Sequence, residues 1–336
     1  MKLDLPLRSD LAGAADEARR LAELGAEGTF SYEGPGDVFF PLALAAGQAD
    51  LDLYTNLAIA LPRSPMHLAY AAWDLQSLTG GRFALGLGTQ IRPHIERRYG
   101  STWGRPVARM REIVGATKEI FRCWQEQDRL DFQGDFFSLS LMPPFFTPKP
   151  LEAGPPPIWL GGVGPNMTRM ACETADGLLV HPFNSRRYVE ERTVPTMREG
   201  LASSGRARED FTLIAETVVC CWRTDEERAR AEAGGRAQLA FYGSTPAYKP
   251  VLDIEGRGDL QPELNRLSKA GAWDEMSTLI DQTLLETVAV CGEPEAVAAE
   301  LQARYGDVAD RLAVSTPYEM APDLMTDLVT AFHGAA

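Results

Sequence analysis

The chain has 336 residues, 45% of them hydrophobic and 24% charged, a balance that indicates a globular protein and excludes a disordered, collagen-like or coiled-coil chain. Its formal net charge of −14 would repel phosphate backbones and anionic lipid headgroups, so we expect neither nucleic acid nor a membrane as a partner. The odd number of cysteines, five, and the lack of an apolar run of roughly 18 residues favour a reduced, cytoplasmic protein.

Eight short β-rich runs alternate with longer stretches of helical periodicity, which is the pattern of repeated βα units around a parallel sheet. In chain order these runs are 2–7, 28–32, 51–58, 82–88, 157–162, 177–181, 211–220 and 311–316. Several are almost continuously apolar, as strands buried on both faces should be. The pattern predicts an α/β fold, a single (β/α)8 TIM barrel over residues 1–336, with an open doubly wound sheet as the alternative.

The βα rhythm fails in two places, which we interpret as insertions in the barrel. Residues 125–156 are rich in aromatics, glycines and prolines, so we expect an excursion with short strands of its own. Residues 234–273 form a second insertion that carries Phe241, Tyr242 and Tyr248. Insertions of this kind often cover the mouth of a barrel.

In (β/α)8 barrels the reacting groups lie at the carboxyl ends of the strands and in the loops that follow. That rule selects Ser31, Tyr32, Glu33, Thr55, Asn56, Thr89, Gln90, Gly161 to Asn166, His181, Glu216, Thr316 and Tyr318.

Some of these positions have two interpretations. The run GGVGPN (161–166) either brings backbone N–H groups to a phosphate or is a tight turn that needs positive φ. Glu33 is a proton or hydrogen-bond acceptor at the mouth, or an exposed loop carboxylate. His181 is an acid/base group or only ends its strand. In TQIRPHIERRYG (89–100), His94 belongs to a candidate site or to a solvated helix start.

Other chemistries find little support. The four histidines have no HxH or HxxxH spacing and no CxxC pair exists, so we expect no metal site. There is also no GxGxxG after the first strand, no Walker loop and no GxSxG elbow, which disfavours Rossmann dinucleotide binding, nucleotide hydrolysis and α/β-hydrolase chemistry.

The segment TNLAIALPRSPMHLAYAAWDLQSLTGGRFALGLGTQ (55–90) resembles the region from the third to the fourth strand of the bacterial luciferase-like flavin and deazaflavin oxidoreductases. The runs RCWQEQDRLDFQGDFFSL (122–139), PPPIWLGGVGP (155–165) and ADGLLVHP (175–182) are similar to later parts of the same family. ERRYG, LMPPFF, HPF and AFYGSTPAY most resemble the branch that uses coenzyme F420.

The resemblance implies a flavin or deazaflavin at the carboxyl-terminal mouth, its ring against a bulge in the third strand with a non-proline cis peptide near Thr55–Asn56. It implies that Glu33 lies near the deazaflavin ring. The cofactor-binding residues it implies are Thr55, Asn56, Thr89, Gln90, Gly161, Gly162, Val163 and Gly164.

The chain departs from the sugar-phosphate dehydrogenase of that family. Gly34 stands where that enzyme has a His, and Ile91 where it has a Glu, so its acid/base machinery does not transfer. We therefore expect the catalytic groups to be Glu33, His94 and His181, with His94 or His181 as the proton donor.

The resemblance predicts hydride transfer between F420 and an unidentified small organic substrate. The alternatives are an FMN-dependent, oxygen-using monooxygenase of the same fold and a non-catalytic flavin-binding protein. The cations Arg92, Arg97 and Arg98 would bind an anionic substrate or the acidic tail of the coenzyme. Relatives imply a homodimer or higher homo-oligomer.

Overall fold

The computed structural model describes residues 1–8 and 10–335. Its strands are β1 (Lys2–Pro6), β2 (Gly28–Ser31), β3 (Asp52–Thr55), β4 (Ala58–Ile59), β5 (Phe83–Gly88), β6 (Phe132–Gln133), β7 (Ser138–Leu139), β8 (Ile158–Gly162), β9 (Gly177–Val180), β10 (Thr212–Cys221), β11 (Val290–Gly292) and β12 (Arg311–Ser315).

The α-helices are α1 (Ala14–Glu23), α2 (Phe39–Ala45), α3 (Pro65–Leu78), α4 (Pro106–Glu126), α5 (Pro165–Thr174), α6 (Arg186–Tyr188), α7 (Val194–Ser204), α8 (Asp225–Gly243), α9 (Lys249–Ile254), α10 (Leu260–Ala270), α11 (Trp273–Thr278), α12 (Gln282–Val288), α13 (Pro294–Tyr305) and α14 (Pro322–Gly334). None of these helices is long and apolar enough to cross a lipid bilayer.

Eight parallel strands close into a barrel in the order β1, β2, β3, β5, β8, β9, β10 and β12, and β12 pairs with β1 to complete the ring. All eight β-rich runs of the sequence form barrel strands, so the predicted (β/α)8 fold is confirmed and the open doubly wound sheet is wrong. The carboxyl ends of all eight strands therefore meet at one end of the barrel.

The irregular segments lie outside this ring. β6 and β7 form a two-stranded antiparallel sheet within residues 125–156. Between β10 and β11 the chain forms helices α8 to α12, and the predicted insertion 234–273 falls within this helical stretch. Residues from this insertion pack on the last half of β10 in an apolar cluster that includes Val218, Leu239 and Leu285.

The other end of the barrel is closed by an ion network. Arg311 donates two hydrogen bonds to Asp4, at 2.7 and 2.6 Å, and one to Asp52 at 2.6 Å. Tyr54 Oη donates to Asp4 at 3.0 Å, and Lys2 Nζ to Asp52 at 2.7 Å. Each of these charged groups has a partner of opposite charge, so the role of this end of the barrel is structural.

A bulge after β3 shapes the mouth. Thr55 Oγ1 donates to the Gly86 carbonyl oxygen at 2.6 Å, and a Cβ at position 86 would overlap the Thr55 carbonyl oxygen, so β5 needs a glycine there. In the bulge, the peptide bond between Asn56 and Leu57 is cis. The resemblance implied this feature one bond earlier, near Thr55–Asn56.

Candidate functional site at the barrel mouth

A cavity of about 1020 Å³ opens at the carboxyl ends of the strands. This volume lies at the upper end of the range usual for small-molecule and cofactor sites. Among the predicted site residues, those that line the cavity are Glu33, Asn56, Thr89, Gln90, Gly161, Gly162, Val163 and His181. The insertion contributes Gln238, Tyr242, Ala247 and Tyr248, so it covers part of the mouth.

Three predicted site residues do not line the cavity. Thr55 is fully buried and holds the bulge through its hydroxyl. His94 begins a short π-helix, His94–Arg98, and its side chain is not part of the cavity wall. Gly164 precedes α5 with a φ of 78° and has the role of a turn glycine.

Glu33 is held by three donors. Its Oε2 accepts from the backbone N–H of Ile59 at 2.7 Å and from Arg63 Nη1 at 2.6 Å, while its Oε1 accepts from Tyr99 Oη at 2.7 Å. Its side chain is 5% exposed, so the exposed-loop interpretation is wrong. Burial, followed by the hydrogen bond to Glu33, raises the pKa of Tyr99 to about 12. The Glu33 carboxylate therefore holds β4, the strand after the bulge, through the Ile59 N–H.

His181 follows β9 and forms one wall of the cavity. Its ring stacks on Tyr248 with centroids 4.3 Å apart and meets the edge of Tyr242 at 4.7 Å. Burial lowers the pKa of His181 to about 3, so the ring is neutral near neutral pH. The Phe183 N–H donates to Nδ1 at 3.1 Å, which leaves the proton of the neutral ring on Nε2. His181 is therefore a hydrogen-bond donor.

Glu216 on β10 lines the cavity beside the bulge. One hydrogen bond reaches its carboxyl group, from Asn56 Nδ2 to Oε2 at 2.8 Å, and it forms no salt bridge with any described residue. Burial raises the pKa of Glu216 to about 7, and the single bond from Asn56 opposes this only in part. A carboxyl group with a pKa near 7 can both give and take a proton at neutral pH.

Asn184 links the backbones of His181 and Glu216. Its Nδ2 donates to the carbonyl oxygens of His181 at 2.7 Å and Glu216 at 2.9 Å. Its Oδ1 accepts from the fully buried Tyr305 Oη at 3.0 Å. The amide thus bridges β9 and β10 directly behind the cavity.

The glycine run lies on β8, the strand that pairs with β9 beside His181. Gly161, Gly162, Val163 and Met167 line the cavity where β8 turns into α5. No side chain caps α5, so the N–H groups of its first turn have no intrahelical acceptor. The turn interpretation is confirmed for Gly164, whose φ is positive. The phosphate interpretation stays a prediction for Gly161, Gly162 and Val163, which line the cavity.

The model of the luciferase-like monooxygenase family matches residues 4–311 of the chain. The chain belongs to this family. An uncharacterized protein of Mycobacterium tuberculosis is 46% identical to this luciferase-like enzyme over 313 residues, 93% of this chain and 92% of that one. The 5,10-methylenetetrahydromethanopterin reductase of Archaeoglobus fulgidus is 28% identical over 241 residues, 70% of this chain and 67% of that one.

Solved structures share the fold. The coenzyme F420-dependent tetrahydromethanopterin reductase of Methanopyrus kandleri matches with a TM-score of 0.81 at 17% identity, over 99% of this chain and 97% of that one. The oxygenating constituent of 3,6-diketocamphane monooxygenase of Pseudomonas putida, in complex with FMN, matches with a TM-score of 0.68 at 17% identity, over 98% and 97%.

In this luciferase-like enzyme, Glu216 is the residue that our reasoning from sequence passed over. The sequence placed it at the mouth, but the predicted catalytic residues were Glu33, His94 and His181. A signal was present, because Glu216 is the one charged residue in the apolar run TLIAETVVCC. A charge inside a buried strand needs either an ionic partner or a function.

Proposed function

We propose that this luciferase-like enzyme transfers a hydride between coenzyme F420 and a small organic substrate at the barrel mouth. The observation that carries the proposal is Glu216, a half-buried carboxyl group that lines the cavity with one amide as its hydrogen-bond partner among the described residues. Hydride transfer to a polar bond needs a proton as well, and a carboxyl group with a pKa of about 7 can exchange one at neutral pH.

Other residues of the mouth would orient the substrate, hold the Glu216 carboxyl group and exclude water. The Nε2–H of His181 would donate a hydrogen bond to the polar atom of the substrate and orient it toward Glu216. Asn56 would keep the Glu216 carboxyl in place through its 2.8 Å bond. Tyr242 and Tyr248, which surround His181, would exclude water from the reacting groups.

The wall of the cavity fits a ring system with a phosphate group. The residues that would hold the phosphate are Gly161, Gly162 and Val163, together with the uncapped first turn of α5. Leu57, Thr89 and Gln90 would border the ring. When bound, the deazaflavin supplies or accepts the hydride, and the chain orients the partners and moves the proton.

Equilibrium titration with F420 and, separately, with FMN tests the coenzyme. We expect tight F420 binding and weak FMN binding, because two structural neighbours of the chain are named F420-dependent enzymes. Preference for FMN, together with oxygen consumption during turnover, would replace the proposal with the monooxygenase alternative. Binding of neither coenzyme would remove the cofactor assignment.

Turnover of the Glu216→Gln variant tests the proton exchange. A panel of small secondary alcohols, assayed through the reduction of F420, supplies the substrate for this comparison. We expect the variant to keep the F420 affinity of the parent and to lose about 10²- to 10⁴-fold in kcat, the usual contribution of a general acid/base. Unchanged kcat would remove Glu216 from the reaction.

A further inference from the structure

Two cysteines lie side by side where the last part of β10 pairs with β11. The strands are parallel, and their register places Cys220 directly opposite Cys291. Both residues pack in the apolar cluster between the last half of β10 and the helices that follow it, whereas their neighbours Val219 and Val290 belong to the main core. Because successive side chains of a strand point to opposite faces, this division places both thiols on the same face of the sheet.

The two thiol groups interact directly. A hydrogen bond from the Cys220 thiol to the Cys291 sulfur, followed by burial, raises the pKa of Cys220. Neighbouring strands lie about 4.7–4.9 Å apart, within the Cα–Cα range of about 4.4–6.8 Å that a disulfide spans. β11 has three residues and pairs with β10 alone in the described sheet, so no second strand opposes a small shift of Cys291 toward Cys220.

The other three cysteines have different surroundings. Cys123, Cys172 and Cys221 are buried, and burial raises the pKa of Cys172 and Cys221 to about 12. Cys221 follows Cys220 in the chain but belongs to the main core on the opposite face of the sheet. All five cysteines lie in the described part of the chain, and Cys291 alone among them is not buried. An oxidant from solvent would therefore react first at Cys291.

We propose that Cys220 and Cys291 are a modification site at which hydrogen peroxide converts the two thiols into a reversible disulfide. The Cys291 sulfur first attacks one peroxide oxygen, the O–O bond breaks, and Cys291 becomes a sulfenic acid as water leaves. The Cys220 sulfur then attacks the Cys291 sulfur, and the S–O bond breaks as a second water leaves. The thiols lose two electrons, the peroxide gains them, and both thiol protons leave in the two water molecules.

The disulfide would join the two ends of the helical stretch that covers part of the mouth. Helices α8 to α12 lie between the two cysteines, so the bond closes a loop of about 70 residues. α8 lies against Cys220, because a Cβ at Gly235 would approach the Cys220 sulfur to 2.6 Å. The same helix carries Gln238 and Tyr242, which line the cavity. Oxidation would therefore hold the cover of the cavity to β10.

Thiol counting after peroxide treatment of the full chain tests the site. Protein treated with hydrogen peroxide, then unfolded and alkylated, should lose two of its five reactive thiols by mass spectrometry. Digestion without reductant should yield one cross-linked pair of peptides, and fragmentation should assign the bond to Cys220 and Cys291. Dithiothreitol should restore all five thiols.

Cys291→Ala and Cys221→Ala are matched variants. Cys291→Ala removes the partner that is not buried, so its peroxide treatment should yield no disulfide. Cys220→Ala should give the same result and replaces that variant if it folds poorly. Cys221→Ala, at the neighbouring cysteine on the opposite face, is the control and should lose two thiols as the parent does.

The midpoint of thermal unfolding gives a second readout. The oxidised parent should unfold about 3–6 °C above the reduced parent, because a bond that closes a long loop restricts the unfolded chain. Peroxide-treated Cys291→Ala should show no such rise. An unchanged midpoint in cross-linked protein would contradict the part of the proposal in which the disulfide holds the helical stretch.

Three results would overturn the site itself. These are retention of all five thiols by the peroxide-treated parent, a disulfide that forms in Cys291→Ala, and oxidation of Cys291 to a sulfinic or sulfonic acid without a cross-link. The last result would mean that the Cys220 sulfur does not reach Cys291. Neither the thiol count nor the unfolding midpoint involves a coenzyme, so failure of the proposed function would leave this test intact.

Discussion

Each end of the barrel has an acidic residue on a strand, fully buried at one end and half-buried at the other, and the two carboxyl groups have different surroundings. Asp4, at the closed end, accepts two hydrogen bonds from Arg311 and one from Tyr54. Glu216, at the mouth, accepts one from the Asn56 amide. Burial raises the pKa of both groups, but only at Asp4 does a cation oppose that effect.

The difference between Asp4 and Glu216 shows that one end of the barrel stabilises the fold while the other end carries the reactive groups. A buried ion pair with complete hydrogen bonding holds its charges fixed and strongly penalises the loss of either partner. A buried carboxyl without a cation keeps a proton that it can exchange near neutral pH. The predictions below test this contrast, from the largest expected effect to the smallest.

Arg311→Met should destabilise the protein most. The substitution leaves Asp4 without its cation and removes one partner of Asp52, so we expect the free energy of unfolding to fall by about 3–5 kcal/mol in chemical denaturation. Lys2→Met, which removes the exposed partner of Asp52, is the control and should cost at most about 1 kcal/mol. Similar losses for the two variants would contradict the account of a closed, structural end.

Glu216→Gln should change the pH dependence of stability. With a pKa of about 7 in the folded protein and 4.5 as its ordinary value, the group stays protonated after folding and ionises after unfolding between these pH values. The free energy of unfolding of the parent should therefore decrease as pH rises through this window and level off above it.

The variant lacks this titration, so the stability difference between parent and variant should shift by on the order of 3 kcal/mol across the window, in favour of the variant at high pH. Urea denaturation at a series of pH values measures the shift. Glu319→Gln, at the exposed rim, is the matched control. A constant difference between the parent and Glu216→Gln would mean that Glu216 has no raised pKa.

Tyr305→Phe should have the smallest effect. It removes the donor to Asn184 Oδ1 behind the mouth and leaves that oxygen unpartnered, at a cost of about 1–2 kcal/mol in the free energy of unfolding. If the amide orients His181 and Glu216, kcat should also fall in this variant while F420 affinity stays constant. A loss of stability with constant kcat would limit Asn184 to a structural role.

The barrel itself could be predicted because its strands are apolar runs at regular intervals, and their carboxyl ends select the polar mouth residues. The start of the helix after β10 could also have been predicted, from the run TDEE at residues 224–227. Thr224 and Glu227 form a capping box that starts α8 ahead of the predicted insertion.

The contacts of the site residues could not be predicted. Glu33 follows β2 and Glu216 lies within β10. Nothing in the local sequence shows that Arg63 pairs with Glu33 while no described cation pairs with Glu216. Partners distant in the chain decide which carboxyl is an anchor and which can exchange a proton.

Direct titration of Glu216 tests the central claim most simply. Difference infrared spectroscopy between the parent and Glu216→Gln isolates the carbonyl stretch of the protonated carboxyl group over about pH 5 to about pH 9. The account predicts that this band is present in acid and reaches half its intensity near pH 7, the pKa set by burial beside Asn56. A band already absent at pH 5 would make Glu216 an ordinary ionised carboxylate and contradict its assignment as the proton-exchanging group.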